Sequence, residues 1–231
     1  MATSLKDSEG TDADRRTSQV EVDCLRGGEA TRRADLVATE EPLEIRLGYR
    51  LVGQPAEKSV SVTMRTPGRD VELATGFLYS EGILSGADDV AGIERCSAAE
   101  SPSRGNILRV HVAVGVEVDV GSLQRNFYTT SSCGVCGKAS LEALDVEGCP
   151  TLEPDDFAIP ADTIRRLPDR LREAQTLFEE TGGIHAAGLF DAAGRLLDLQ
   201  EDVGRHNAMD KLVGSRLLDD ALPIGESVVV L

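Results

Sequence analysis

"IHAAGLFDAAGRLLDLQEDVGRHNAMDKLVGSRLL", residues 184–218, carries the strongest fold signal in the chain. "IHAAGLF" reads as a strand, Asp191–Gly194 as a turn, "RLLDLQ" as a second strand and "HNAMDKLVGSRLL" as a helix. Downstream, "ESVVVL" (226–231) is a short apolar run of the kind found in fully buried strands. Upstream, Leu167, Leu171, Ala174 and Phe178 recur at helical spacing. That helix is expected to be broken or started at Pro168 and stopped by Gly182-Gly183. Strands alternating with helices imply an α/β layer in this half of the chain.

The first half has a different period. "LEIRLGYRLVG" (43–53) and "SVSVTMRT" (59–66) alternate apolar and polar residues, as half-buried strands do. Pro67-Gly68 is a turn, and "DVELATGFLYSEGIL" (70–84) reads as a helix with Val71, Ala74 and Leu78 near one face. "NILRVHVAVGVEVDV" (106–120) is one or two strands, with His111 on the solvent phase. Before these, residues 1–18 are polar and charged and read as disordered. Val20, Val22 and Cys24 suit a short edge strand before Gly27-Gly28. The expected division is therefore a disordered or weakly ordered tail over 1–38, a β-rich subdomain over 39–127 and an α/β subdomain over 128–231.

Composition narrows the partners. The 231 residues are 41% hydrophobic but only 3% aromatic, so the core must be aliphatic. A formal net charge of -16 argues against nucleic acid or an anionic membrane as the main partner, while leaving room for an anion in a locally basic cleft. Five cysteines, three of them scattered (Cys24, Cys96, Cys149), do not form a secreted disulfide framework. The N-terminus has no apolar signal segment, and no apolar run reaches the ~20 residues of a membrane span. A cytoplasmic protein is expected.

The chemistry concentrates in "YTTSSCGVCGKASLEAL" (128–144), where Cys133 and Cys136 precede a helical pattern. One C-x-x-C supplies two ligands and structural zinc needs four. The deaminase pattern H-x-E with P-C-x-x-C is absent, since the histidines read "HVA", "HAA" and "HNA" and Ser132 precedes the first cysteine. A thioredoxin-like dithiol would follow the first strand of a βαβ unit, not sit in mid-chain. Sulfur carriage suits the local pattern better. Ser131 or Ser132 caps the coming helix, whose N-terminal partial charge favours a thiolate or persulfide, and Lys138 adds a cation. Zinc, dithiol redox chemistry and a plain buried pair stay open as rivals.

Several blocks together resemble a known family. "EEPLEIRL" (40–47), "MRTPGRDVELATGFLYSEGIL" (64–84), "RNFYTTSSCGVCGKASLEAL" (125–144), "FEETGGIHAAGLFD" (178–191) and "EDVGRHNAMDKLVG" (201–214) are similar, in order, to the formate dehydrogenase accessory sulfurtransferases, the FdhD family. The resemblance implies a carrier that takes sulfur as a persulfide from a cysteine desulfurase. It passes that sulfur to the molybdenum cofactor, bis-molybdopterin guanine dinucleotide, which formate dehydrogenase needs. Cys133 would bear the persulfide and Cys136 would be its partner. The cofactor would be bound as a client, with no resident catalytic cofactor and no metal. The implied fold is a cytidine-deaminase-like three-layer α/β core with a smaller β-rich N-terminal subdomain, in a homodimer. The family pattern runs on past Leu231 to a glycine- and arginine-containing segment associated with the cofactor, so the C-terminal part of the family fold is expected to be missing here.

Three further residues are candidates for the cofactor. Arg205 and His206 open a helix, where backbone N–H groups beside a guanidinium suit a phosphate. His185 follows Gly182-Gly183 on a strand and is either a core histidine or a cofactor contact. Glu201 and Asp202 are placed to orient a neighbouring arginine or histidine. The rival from another class is a cofactor chaperone whose cysteines are passive.

Overall fold

A computed structural model describes residues 15–96, 105–116, 118 and 157–231. They form three sheets and four α-helices. Residues 17–38, expected as part of a weakly ordered tail, form a hairpin of two ten-residue strands, β1 (Thr17–Arg26) and β2 (Glu29–Ala38). The hairpin is long because its ladder continues through charged cross-strand pairs such as Asp23 with Arg32. Most of its side chains are exposed, so no apolar alternation marks the second strand.

The alternating runs 43–53 and 59–66 fall in β3 (Glu41–Leu51) and β4 (Gln54–Arg65), which pair antiparallel. β5 (Val90–Arg95) and β6 (Ile107–Val112) complete a sheet of order β4-β3-β6-β5, with β3 and β6 parallel at its centre. Leu43, Ile45, Leu47, Leu108 and Val110 point to the core face and are essentially inaccessible. The opposite face carries Glu44, Arg46, Glu57, Glu94, Arg109 and His111 in a chain of ion pairs, in which Glu57 bridges the like-charged Arg46 and Arg109. His111 is thus a solvent-phase strand histidine, bonded to Glu94.

The helix expected over 70–84 is α1 (Asp70–Ser80) and stops earlier. Gly82, at φ +72°, lets its N–H reach Tyr79 and lets the Ile83 N–H return to the Leu78 carbonyl, closing the helix in a Schellman turn. α1 covers the core face of the first sheet through Val71, Ala74 and Leu78.

The second helix, α2 (Ala161–Ala174), begins well before Pro168, which lies inside it. Proline is tolerated there because it sits on the exposed side of the helix, as does Ile164, whose carbonyl it leaves without a helical donor. The apolar spacing expected to continue to Gly182 is interrupted at Gln175, and a short α3 (Thr176–Thr181) follows. β7 (His185–Asp191), β8 (Leu196–Asp202) and β9 (Ser227–Val230) form an antiparallel sheet of order β8-β7-β9. β9 is half-buried rather than fully buried, since it pairs only with β7 among the described residues.

Alternation on β7 sends its side chains two ways. Ala186 and Phe190 meet Leu167 and Leu171 of α2, while Ala187 and Leu189 meet Ala208 and Leu212 of α4 (Arg205–Leu218). The β8-β7-β9 sheet, the second of the two sheets that build a core, therefore has a helix on each face. α1 and α4 cross so closely that Gly76 and Gly214 touch the partner backbone: a Cβ on Gly76 would stand 1.8 Å from the Asp210 carbonyl oxygen, and one on Gly214 would stand 1.9 Å from that of Glu72. This crossing joins the two sheets' cores.

Candidate functional site

β8 ends in three buried polar residues, Gln200, Glu201 and Asp202, and after two linking residues α4 starts. The Asp202 side chain is wholly buried and takes four donors. Oδ1 accepts from the Gly204 N–H and from Asn207 Nδ2, both at 2.9 Å. Oδ2 accepts from the Thr66 N–H at 3.1 Å and pairs with Lys211 Nζ at 2.7 Å. Lys211 is 2% exposed and also donates to the Thr66 carbonyl at 2.9 Å and the Glu201 carbonyl at 3.4 Å. Burial lowers the Lys211 pKa, and the Asp202 charge opposes part of that fall.

Asn207 spends both amide hydrogens inward, on Met64 O at 2.7 Å and on Asp202, while its oxygen accepts from Thr63 Oγ1 at 3.1 Å. The Val203 N–H closes the joint on Thr66 Oγ1 at 3.2 Å. The end of β4 is thereby stapled to the β8–α4 junction, although about 140 residues separate them in sequence. A second buried cluster lies at the same strand end. Arg65 grips Asp70 with two bonds of 2.9 Å, and Arg95 adds a third. Burial alone would raise the Asp70 pKa, but the Arg65 bonds and the Arg65 and Arg95 charges outweigh it and hold the carboxyl low.

The three candidate residues within reach of description sit at this end of the second sheet. His185 opens β7 directly opposite Asp202 in register, and Arg205 and His206 form the first turn of α4. All three are exposed, and their side chains make no hydrogen bond or ion pair among the described residues. His185 is thus not a core histidine. Glu201 and Asp202 do not orient these groups by contact, as the sequence led us to expect. Glu201 instead caps α3 by accepting from the Leu177 and Phe178 N–H groups at 3.1 and 3.0 Å, with Arg16 at 3.7 Å. No side chain caps α4, so its first-turn N–H groups add partial positive charge to the rim.

Cys133, Cys136 and Lys138 lie outside the described residues, as does Cys149. Cys96 is buried and Cys24 half-buried, both as free thiols. Among the described residues no group of three or more His, Cys, Asp or Glu could hold a metal ion, and no helix is long and apolar enough to cross a membrane. The buried staple was not legible in the sequence. Asp, Lys and Arg read as surface residues, and no local spacing links Thr66 to Asp202 or Lys211. What the junction offers chemically is a cationic, hydrogen-bond-donating rim on a rigid base, suited to holding an anion and not to attacking one.

A family model described as FdhD/NarQ matches residues 38–231. The sulfur carrier protein FdhD of Streptomyces avermitilis is 45% identical over 217 residues, covering 93% of this chain and 74% of that protein. Its counterpart of the same name in Mycobacterium tuberculosis is 43% identical over 219 residues, with 93% and 76% covered. Among solved structures, a Desulfotalea psychrophila protein proposed as a formate dehydrogenase accessory protein superposes with a TM-score of 0.63 at 25% identity, covering 93% of this chain and 73% of that one.

Proposed function

The chain belongs to the FdhD/NarQ family, and on that premise we propose that it is a sulfur carrier serving formate dehydrogenase, acting as a sulfurtransferase. The reading rests on one observation: the family match spans 38–231, a range that contains the Cys133 and Cys136 pair.

In this reading the Cys133 thiolate attacks the outer sulfur of a cysteine desulfurase persulfide. A new S–S bond forms on Cys133, the old one breaks, and the desulfurase cysteine leaves as its thiolate. The cargo receiving that sulfur is the molybdenum of bis-molybdopterin guanine dinucleotide, where sulfide would take the place of an oxygen ligand that leaves as water. Attack of the Cys136 thiolate on Cys133 Sγ would release the outer sulfur as sulfide and leave a Cys133–Cys136 disulfide, which a cellular thiol then reduces. The cargo's phosphates are held by hydrogen-bond donors and cations: Arg205 and His206 on the uncapped start of α4, His185 on the neighbouring strand, and Lys138, close to the cysteines in sequence. The layers α2, second sheet and α4 are read as the cytidine-deaminase-like core, and the working form as a cytoplasmic homodimer that meets the desulfurase and formate dehydrogenase in turn.

Incubation with a cysteine desulfurase and cysteine, followed by intact-mass measurement, tests the transfer. The expected result is a gain of one sulfur mass that reductant removes and that Cys133→Ala prevents. No gain in the parent protein would favour a chaperone with passive cysteines instead.

A further inference from the structure

The buried Asp202–Lys211 pair has no role in the chemistry above, yet it is the most completely bonded polar group at the junction. Its location is informative. Only Val203 and Gly204 separate Asp202 from Arg205, the first exposed cation of the rim. Four donors from three segments meet on one carboxylate: the loop after β4, the β8–α4 link, and α4 at two positions one turn apart.

Such a pair is a poor device for stability. Removing two charges from water costs about as much as their attraction returns, and apolar replacements of similar volume are often neutral or better. It is a good device for direction, because the four contacts on the carboxylate run from 2.7 to 3.1 Å and their donors come from three pieces of backbone. Asn207 adds to this from the inner side of the first helical turn, where both of its amide hydrogens are committed to Met64 and Asp202. The inner side of that turn is therefore pinned while its outer side presents Arg205 and His206 to solvent.

We propose that the buried Asp202–Lys211 pair is a positioning device, which locks the end of β4 to the start of α4 and thereby sets the direction in which Arg205 and His206 meet the phosphates of the anionic cargo. The inference rests on the phosphate-holding role assigned to that rim above. It makes Asp202 and Lys211 positioning residues that touch no cargo.

The test separates geometry from stability. In the double variant Asp202→Asn with Lys211→Met both charges are gone, so no unpaired charge stays buried, and the fold is expected to survive. Inorganic pyrophosphate serves as the probe, with affinity measured by calorimetry well below the melting temperature. The parent protein is expected to bind it. The folded double variant is expected to bind roughly tenfold more weakly, the value of one misaligned charge-assisted hydrogen bond. Asn207→Ser, a milder cut in the same joint, is expected to weaken binding roughly threefold with little loss of stability, and it carries the test if the double variant does not fold. Unchanged affinity in either folded variant would overturn the positioning role while leaving the rim intact. Absence of pyrophosphate binding in the parent would overturn the rim's phosphate role, and the inference with it.

Discussion

Replacing Gly76 with alanine tests the helix crossing that joins the two halves of the molecule. The added Cβ would lie 1.8 Å from the Asp210 carbonyl oxygen, 2.7 Å from its carbon and 2.8 Å from the Gly214 nitrogen. Comfortable contact lies near about 3.5 Å, so α1 and α4 must part by roughly 1.5 Å. The obstructing atoms are backbone, which cannot turn aside as a side chain would. Overpacking of this kind costs about 1–3 kcal/mol, with a backbone collision at the upper end. Alanine returns about 1 kcal/mol of helix propensity. The expected net loss is about 2 kcal/mol, a fall of roughly 4–8 °C in melting temperature for a chain of this size. Gly183→Ala is the control, since nothing lies within 4 Å of its Cβ position. Thermal unfolding followed by circular dichroism reads both variants. A Gly76→Ala protein that melts with the parent, or above it, would refute the close crossing and the packing argument built on it.

Asp70→Asn should cost about 3–5 kcal/mol in chemical denaturation, because it leaves Arg65 and Arg95 without their buried counter-charge. The same carboxyl is held low in the fold, so its stabilisation is full above the ordinary carboxylate pKa of about 3.9 and disappears as pH falls below that. Asp210 behaves in the opposite sense. Desolvation of this half-buried carboxyl pushes it up to about 7, the Ser80 bond opposing and the nearby Glu81 and Asp202 adding to the rise. The fold therefore holds a proton that the unfolded chain releases, and stability should decline as pH rises from about 4 to 7, a slope that Asp210→Asn should abolish. Alanine at His185, Arg205 or His206 should change stability by less than about 0.5 kcal/mol, since each is exposed and unbonded among the described residues, yet weaken binding of the phosphate-bearing cargo in an equilibrium titration.

What could be read from the sequence follows a physical divide. β3 and β4 were visible because one face of each strand is core and the other is not, which imprints a period of two, while β7 was visible as a short apolar run because both of its faces are covered. β2 was invisible for the converse reason, as both of its faces meet solvent. β5, "VAGIER", is too short and too charged to declare itself without β6 beside it. The α2–α3 break escaped notice because Leu171, Ala174 and Phe178 keep helical spacing across it, while its cause is a Glu201 carboxylate from a distant strand. The structure places His185, Arg205 and His206, all exposed, at one end of the β8-β7-β9 sheet, and all three were singled out from their neighbours in sequence. The staple beneath them was not, because buried charges reveal themselves only when their partners are seen.

Sulfur delivery from Cys133 to the cofactor is the central step to measure. The protein would be charged with radioactive sulfur by a desulfurase, freed of the donor and mixed with sulfur-free bis-molybdopterin guanine dinucleotide cofactor. The label should then leave Cys133 and appear on the cofactor, with restored formate dehydrogenase activity in the enzyme that receives it. Label that stays on the protein, or a cofactor equally active after passage through the Cys133→Ala variant, would contradict the account.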